Sequence, residues 1–278
     1  MSRRQVLAHY LRLRMDRERA QRAVLRLPGL RSLRTRRWLW DRRNDIGWMR
    51  RAAFERLGSD RYSHPSLHDL DRTLGALFPE VGGFFVEAGA YDGFIQSNTY
   101  WLERFRGWRG VLVEPVPHLY RRALRQRAGA QVFNCALVPE DPPGGSITMR
   151  YAGLMSMVRG AKGGGSEEEA HLLAGDMFGL DDVAYEITVP ARTLTSVLEE
   201  AGAPRGFELL SLDVEGFEAS VLRGLDLDRY APELLLVEMH DLDAIRPELE
   251  SVLGDHYRFE GLLTPFDALY RRQPSARS

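Results

Sequence analysis

Three apolar segments of this chain end in acids, two of them followed closely by glycine, a pattern that can bind a cationic ligand and handle protons. The first is Phe84-Phe85-Val86-Glu87-Ala88-Gly89-Ala90-Tyr91-Asp92-Gly93. A dinucleotide fingerprint would need G-x-G-x-x-G, whose glycines admit a pyrophosphate at a helix N-terminus. Tyr91 occupies the second glycine's place, so the spacing is instead Glu87-x-Gly89-x-x-x-Gly93. That spacing suits a ligand without phosphates. Glycine lets backbone come close, and the acid can meet an ammonium. S-adenosylmethionine carries both an ammonium and a sulfonium.

The second segment, Val111-Leu112-Val113-Glu114-Pro115, ends in an acid 25 residues after Gly89. An acid at the end of a second strand can accept both hydroxyls of an adenosine ribose. Asn134-Cys135-Ala136 closes a third strand, where an adenine edge would meet backbone groups, and Cys135 there reads as a small packing residue rather than a nucleophile. The third acid cluster is Leu209-Leu210-Ser211-Leu212-Asp213-Val214-Glu215-Gly216-Phe217-Glu218, followed by a strand ending in Glu238-Met239-His240. Ligands of open parallel sheets bind beyond the carboxyl ends of strands, so Asp213, Glu215, Glu238 and His240 should converge beside the cofactor. They could supply a proton acceptor. Asp213, Glu238 and His240 could equally hold Mg²⁺ or Mn²⁺. Strand-end acids also cap following helices, which suits Glu215 or Glu218 best.

These residues need a scaffold, and the patterning supplies one. Gly83–Glu87, Gly110–Glu114, Gln131–Leu137, Phe207–Asp213 and Glu233–Met239 read as short buried strands. Ser97–Phe105, Pro117–Arg127, Thr193–Ala201 and Glu218–Leu222 read as helices between them. Such alternation predicts a mostly parallel sheet with helices on both faces. Arg258–Leu263 and Ala268–Arg271 read as a terminal antiparallel pair. Residues 139–186, rich in Pro, Gly and Glu, interrupt the alternation as a long loop or lid insertion, with Ile147–Tyr151 and Tyr185–Val189 able to pair at its ends.

Composition bounds the rest. The 278 residues, 44% hydrophobic and 28% charged, belong to a globular chain. The single Cys135 excludes an internal disulfide, which fits a reducing, cytoplasmic setting. There is no apolar run of membrane-span length and no secretory signal pattern. Residues 1–61 hold 18 Arg against 6 acids, and residues 62–278 hold 20 basic against 33 acidic residues. This reads as a basic helical extension, 1–61, on an acidic domain, 62–278. The extension is expected to cap the domain, to form an oligomer contact or lid, or to touch an anionic membrane surface. Nucleic acid is disfavoured because the acidic domain would repel phosphate.

Taken together, the segments resemble the FkbM-type S-adenosylmethionine-dependent methyltransferases. The likeness rests on "FFVEAGAYDG", "SNT" at Ser97–Thr99, "WRGVLVEPVP", "NCAL", "VPARTL" and "LLSLDVEGFEASVL", and covers about residues 83–240. It implies a class I methyltransferase (Rossmann-like) fold, a seven-stranded sheet with its last strand antiparallel. The activity it implies is O-methylation of a small molecule, natural product, sugar or glycan. An N-methyltransferase or a non-catalytic adaptor on the same fold is the alternative. Cofactor contacts are expected at Glu87, Gly89, Asp92, Asn98, Glu114 and Ala136, and at their neighbours Ala90, Tyr91, Ser97, Pro115, Cys135 and Asp213.

Overall fold

The computed structural model describes residues 46–151, 157–158, 185–239 and 241–274. The opening part of the basic extension, His240 and most of the 139–186 insertion lie outside these residues. Residues 46–56 are helical (α1). After a short 3₁₀ turn comes α2, Leu70–Leu77. Then strands and helices alternate: β1 Phe84–Ala88, α3 Tyr100–Arg106, β2 Arg109–Val113, α4 Pro117–Gln126 and β3 Ala130–Phe133.

A block of shorter strands follows, β4 Ala136–Leu137, β5 Ser146–Tyr151, β6 Met157–Val158 and β7 Tyr185–Arg192. The alternation then resumes with α5 Leu194–Ala201, β8 Gly206–Leu212, α6 Glu218–Arg223, β9 Ala231–Glu238 and α7 Leu242–Leu253. The chain ends in the hairpin β10 Tyr257–Leu262 and β11 Asp267–Arg272.

The main sheet has seven strands in the order β10-β11-β9-β8-β1-β2-β3. Neighbours from β9 to β3 are parallel. β11 inserts antiparallel between β9 and β10. Period-two alternation sends successive residues to opposite faces. Val86, Val111, Leu210 and Leu235 pack with Leu194, Val197, Leu222 and Leu249 on the α5–α7 side. Phe85, Leu112, Leu209 and Leu236 pack with Leu74, Leu102 and Ala123 on the α2–α4 side. By the same parity Glu87, Ser211 and Glu238 belong to the α2–α4 face.

A second sheet, β4-β7-β5-β6, corrects one expectation. Gln131–Leu137 is not one strand: β3 ends at Phe133, and Ala136–Leu137 pairs with Ala191–Arg192 of β7 in the other sheet. The chain changes sheets through Asn134 and Cys135. The expected pairing at the insertion's ends is present, with Ser146–Tyr151 antiparallel to Tyr185–Pro190. No helix among the described residues is long and apolar enough to cross a membrane.

Candidate functional site

β1 delivers Glu87 to the sheet interior, where an unpaired carboxylate would be costly. Its partners come from the segment after the strand. One carboxylate oxygen accepts from Ser97 Oγ (2.9 Å) and Thr99 Oγ1 (2.6 Å), the other from the Asn98 amide (2.8 Å). Arg127, at the end of α4 and only 1% exposed, completes the cluster. It donates to Glu87 (3.2 Å), Glu103 (2.7 Å), Ser97 Oγ (3.0 Å), Thr99 Oγ1 (2.7 Å) and the Gly93 carbonyl (3.1 Å). Glu87 and Ser97, both expected at the cofactor, are therefore engaged in shaping residues 93–99. That engagement delays the helix: α3 begins at Tyr100 rather than Ser97. Its product is the placement of Asn98, whose side-chain amide donates to Ser211 Oγ (3.1 Å) at the end of β8. Sequence reasoning missed Arg127. The signal for it was indirect, since a carboxylate on a buried strand requires a cation from somewhere.

The turn after β1 is strained and tightly supported. Gly89 has φ +84°. A Cβ there would lie 1.8 Å from the Asp213 carbonyl oxygen, while the Asp213 amide donates to Ala88 (3.1 Å). The glycine therefore answers first to the close approach of β1 and β8, which brings Asp213 beside the turn. Gly89 and Ala90 both donate to the Val113 carbonyl (3.1 Å each). Tyr91, a non-glycine residue at φ +50°, packs with Val116, Leu119 and Ile187. Asp92 accepts from the amides of Phe94 (3.0 Å) and Ile95 (2.8 Å), which closes the turn.

Glu114, at the end of β2, reaches back to this turn. Its two oxygens accept from the amides of Tyr91 and Val116, each at 2.8 Å. Burial pushes its carboxyl up to about 8, with those two N–H groups pulling the other way. A carboxylate offers about four acceptor positions, so two remain for a ligand's hydroxyls. Those acceptor positions fit the two hydroxyls of a ribose. Asn134 donates to the carbonyls of Glu114 (2.9 Å) and Pro115 (2.8 Å), fixing the backbone that carries the acid. Burial pushes the Cys135 thiol up to about 12, so it is a packing group and not a nucleophile. Ala136 is buried with Met149 and Val189 at the start of β4.

Asp213, Glu215 and Glu238 converge at the carboxyl ends of β8 and β9, one oxygen of each within 4.8 Å of the others. Asp213 and Glu238 are hydrogen-bonded, and burial raises both carboxyls. The charge of Asp213 raises Glu238 further. Two buried carboxylates in contact hold one proton between them. The pair therefore presents one hydroxyl donor and one acceptor oxygen at the same place. The helix-capping role expected of Glu215 or Glu218 is not filled by a side chain at the start of α6; Glu218 instead reaches back and accepts from the loop amides of Val214 (3.2 Å) and Gly216 (3.0 Å), which fixes the turn that carries Glu215. Glu215 sits at φ +57°, a strained position typical of working sites. His240 lies outside the described residues.

A seven-stranded sheet with one antiparallel strand next to its edge, carrying a glycine turn after β1 and an acid after β2, defines the class I methyltransferase-like fold. A family model described as the methyltransferase FkbM domain matches residues 87–259. The chain belongs to that family. Methyltransferase sdnD of Sordaria araneosa is 29% identical over 196 residues, spanning 62% of this chain and 72% of that protein. Among solved structures, methyltransferase FkbM from Methylobacillus flagellatus KT aligns over 77% of this chain at 16% identity and a TM-score of 0.44. This chain spans half of that structure's length. A TehB-like SAM-dependent methyltransferase from Corynebacterium glutamicum aligns over 84% of this chain and 97% of its own, at 13% identity and a TM-score of 0.38.

Proposed function

We propose that the chain transfers a methyl group from S-adenosylmethionine to a hydroxyl of a small-molecule or glycan acceptor. The observation that carries this is the convergence of the Asp213 and Glu238 carboxyls at the ends of β8 and β9, with Asp213 held against the glycine turn that follows β1. The cofactor supplies an electrophilic methyl on sulfur. Glu114 takes the ribose hydroxyls, and Asn98 and the backbone at Gly89–Tyr91 line the methionine end. Glu87 acts behind them by shaping the loop. Asp213 accepts the acceptor's hydroxyl proton as the oxygen–methyl bond forms and the sulfur–methyl bond breaks. Protonated Glu238 keeps Asp213 oriented. Alignment of the reacting atoms contributes ~7–11 kcal/mol and a positioned base ~10²–10⁴-fold.

The convergence of three carboxylates supports a second reading. Asp213, Glu215 and Glu238 form an oxygen donor set suited to Mg²⁺ or Mn²⁺. A divalent ion there would acidify a bound hydroxyl. One experiment separates the readings: methyl transfer to a panel of hydroxylated and amine acceptors by wild type and Asp213→Asn, each with and without chelator. Loss of ~10²–10⁴-fold in kcat in the variant with no chelator effect supports the side-chain base. Chelator loss restored by Mg²⁺ or Mn²⁺ supports the metal. Transfer to amines alone, or cofactor binding without any transfer, overturns O-methylation.

A further inference from the structure

The segment that carries Asp92 and Asn98 lacks a ladder of its own. Residues 91–99 are turns and bends, with Gly93 at φ +83° and Gln96 at φ +61°. Glu87 and Arg127 grip it from inside. A second grip comes from α1, which lies outside residues 87–259 matched by the family domain. Arg51 of α1 is 4% exposed, and its guanidinium carbon lies 3.4 Å from the Phe94 ring centroid and 5.0 Å from that of Tyr100. It donates to Gln126 Oε1, and the Gln126 amide donates to the Asp92 carbonyl (2.8 Å). One turn further on, Glu55 accepts from Tyr100 Oη (2.8 Å), Ser63 Oγ (2.7 Å) and Arg104 Nε (2.8 Å), with Arg51 Nε 3.7 Å away. Phe94 and Tyr100, in edge contact at 4.8 Å, bracket Asn98.

We propose that Arg51 is a positioning residue for the cofactor site, acting through Gln126 and Phe94 to fix residues 92–100. This role for Arg51 presupposes the S-adenosylmethionine site proposed above. An apolar side chain would suffice to cover Phe94. A buried guanidinium is costly unless its donors are used, and here they reach the loop's backbone through one intermediary. α1 of the extension thus supports the binding site from behind.

The test uses the full chain and S-adenosylhomocysteine as the probe, measured by calorimetry together with thermal unfolding and hydrogen exchange. Arg51→Met should weaken binding about tenfold, the size of a lost charged hydrogen bond. Amides of residues 94–98 should exchange faster in the same variant. Gln126→Met should weaken binding similarly, and the double variant should be no worse than the weaker single, because both act along one chain of contacts. A lowered Tm with affinity within about twofold of wild type would make Arg51 purely structural and overturn the proposal. Effects that multiply in the double variant would do the same. If Arg51→Met does not fold, Arg51→Lys, which keeps the cation but loses the fork, is read by the same criteria. Wild type that binds no S-adenosylhomocysteine overturns the cofactor reading itself, and this proposal with it. Wild type that binds while Arg51→Met binds equally well overturns this proposal alone.

Discussion

Glu114 is the residue whose chemistry gives the sharpest pH test. Its folded pKa, about 8, lies above the ordinary carboxylate value because of burial. The folded chain therefore holds this proton more tightly than the unfolded chain. The group's contribution to stability is complete below about pH 4, and is lost as pH rises towards 8. Ribose hydroxyls donate to the ionised form, so affinity for S-adenosylhomocysteine should climb with pH to about 8 and then level off. Below that value, binding should release a proton, visible as a calorimetric heat that depends on the buffer. Glu114→Gln should flatten the profile and weaken binding about tenfold or more. A flat wild-type profile would remove the ribose assignment. Gly89 offers a stability test. A methyl group at φ +84°, overlapping the Asp213 carbonyl, should cost Gly89→Ala about 2–5 kcal/mol in urea unfolding. A loss under ~1 kcal/mol would mean that β1 and β8 do not approach so closely. Glu114 and Asp213 were legible in the sequence because each ends an apolar run, with Pro115 directly after the first and Gly216 three residues after the second. Arg127 was not, because its partner Glu87 lies 40 residues away and nothing local distinguishes it from the surface arginines around it.

The elements followed the apolar patterning wherever one strand met one face. The departures have local causes. Gln131–Leu137 reads as one strand because apolar residues run through it, yet Asn134 turns its amide onto two carbonyls of the β2 end and hands the chain to the second sheet. Asn134→Ala leaves those carbonyls without this donor. It should cost ~1–3 kcal/mol by chemical denaturation and also weaken S-adenosylhomocysteine binding, since the same backbone carries Glu114. Unchanged affinity would separate the strand switch from the site. The Ser97 helix start was misread because Ser97 and Thr99 resemble capping residues, and their hydroxyls are spent on Glu87 instead. α7 escaped the sequence reading altogether. Pro247 stands inside it, and proline argues against a helix interior, although the helix still buries Leu249 and Leu253.

At the scale of the molecule, the family match and the folded unit have different limits. The match stops at residue 259, whereas β11 runs to Arg272 and lies between β9 and β10. A chain trimmed to 87–259 would lose half of β1 and all of β11, leaving β9 an open edge. It should give no cooperative unfolding transition, while residues 46–274 should give one by circular dichroism. A cooperative transition in the shorter piece would refute this account of the sheet. The same topology sets a timetable for synthesis. Phe85 pairs with Leu209, so at ~5–20 residues per second the two central strands are made roughly 6–25 s apart. Throughout that interval β1 offers an unsatisfied hydrogen-bonding edge to any other nascent chain. Asp213 cannot approach Gly89 until the interval ends, and β9 then waits for β11. The methyltransferase site is consequently assembled only after β8 and β9 have been made, and its yield in a cell should be governed by how well the growing chain is shielded until then.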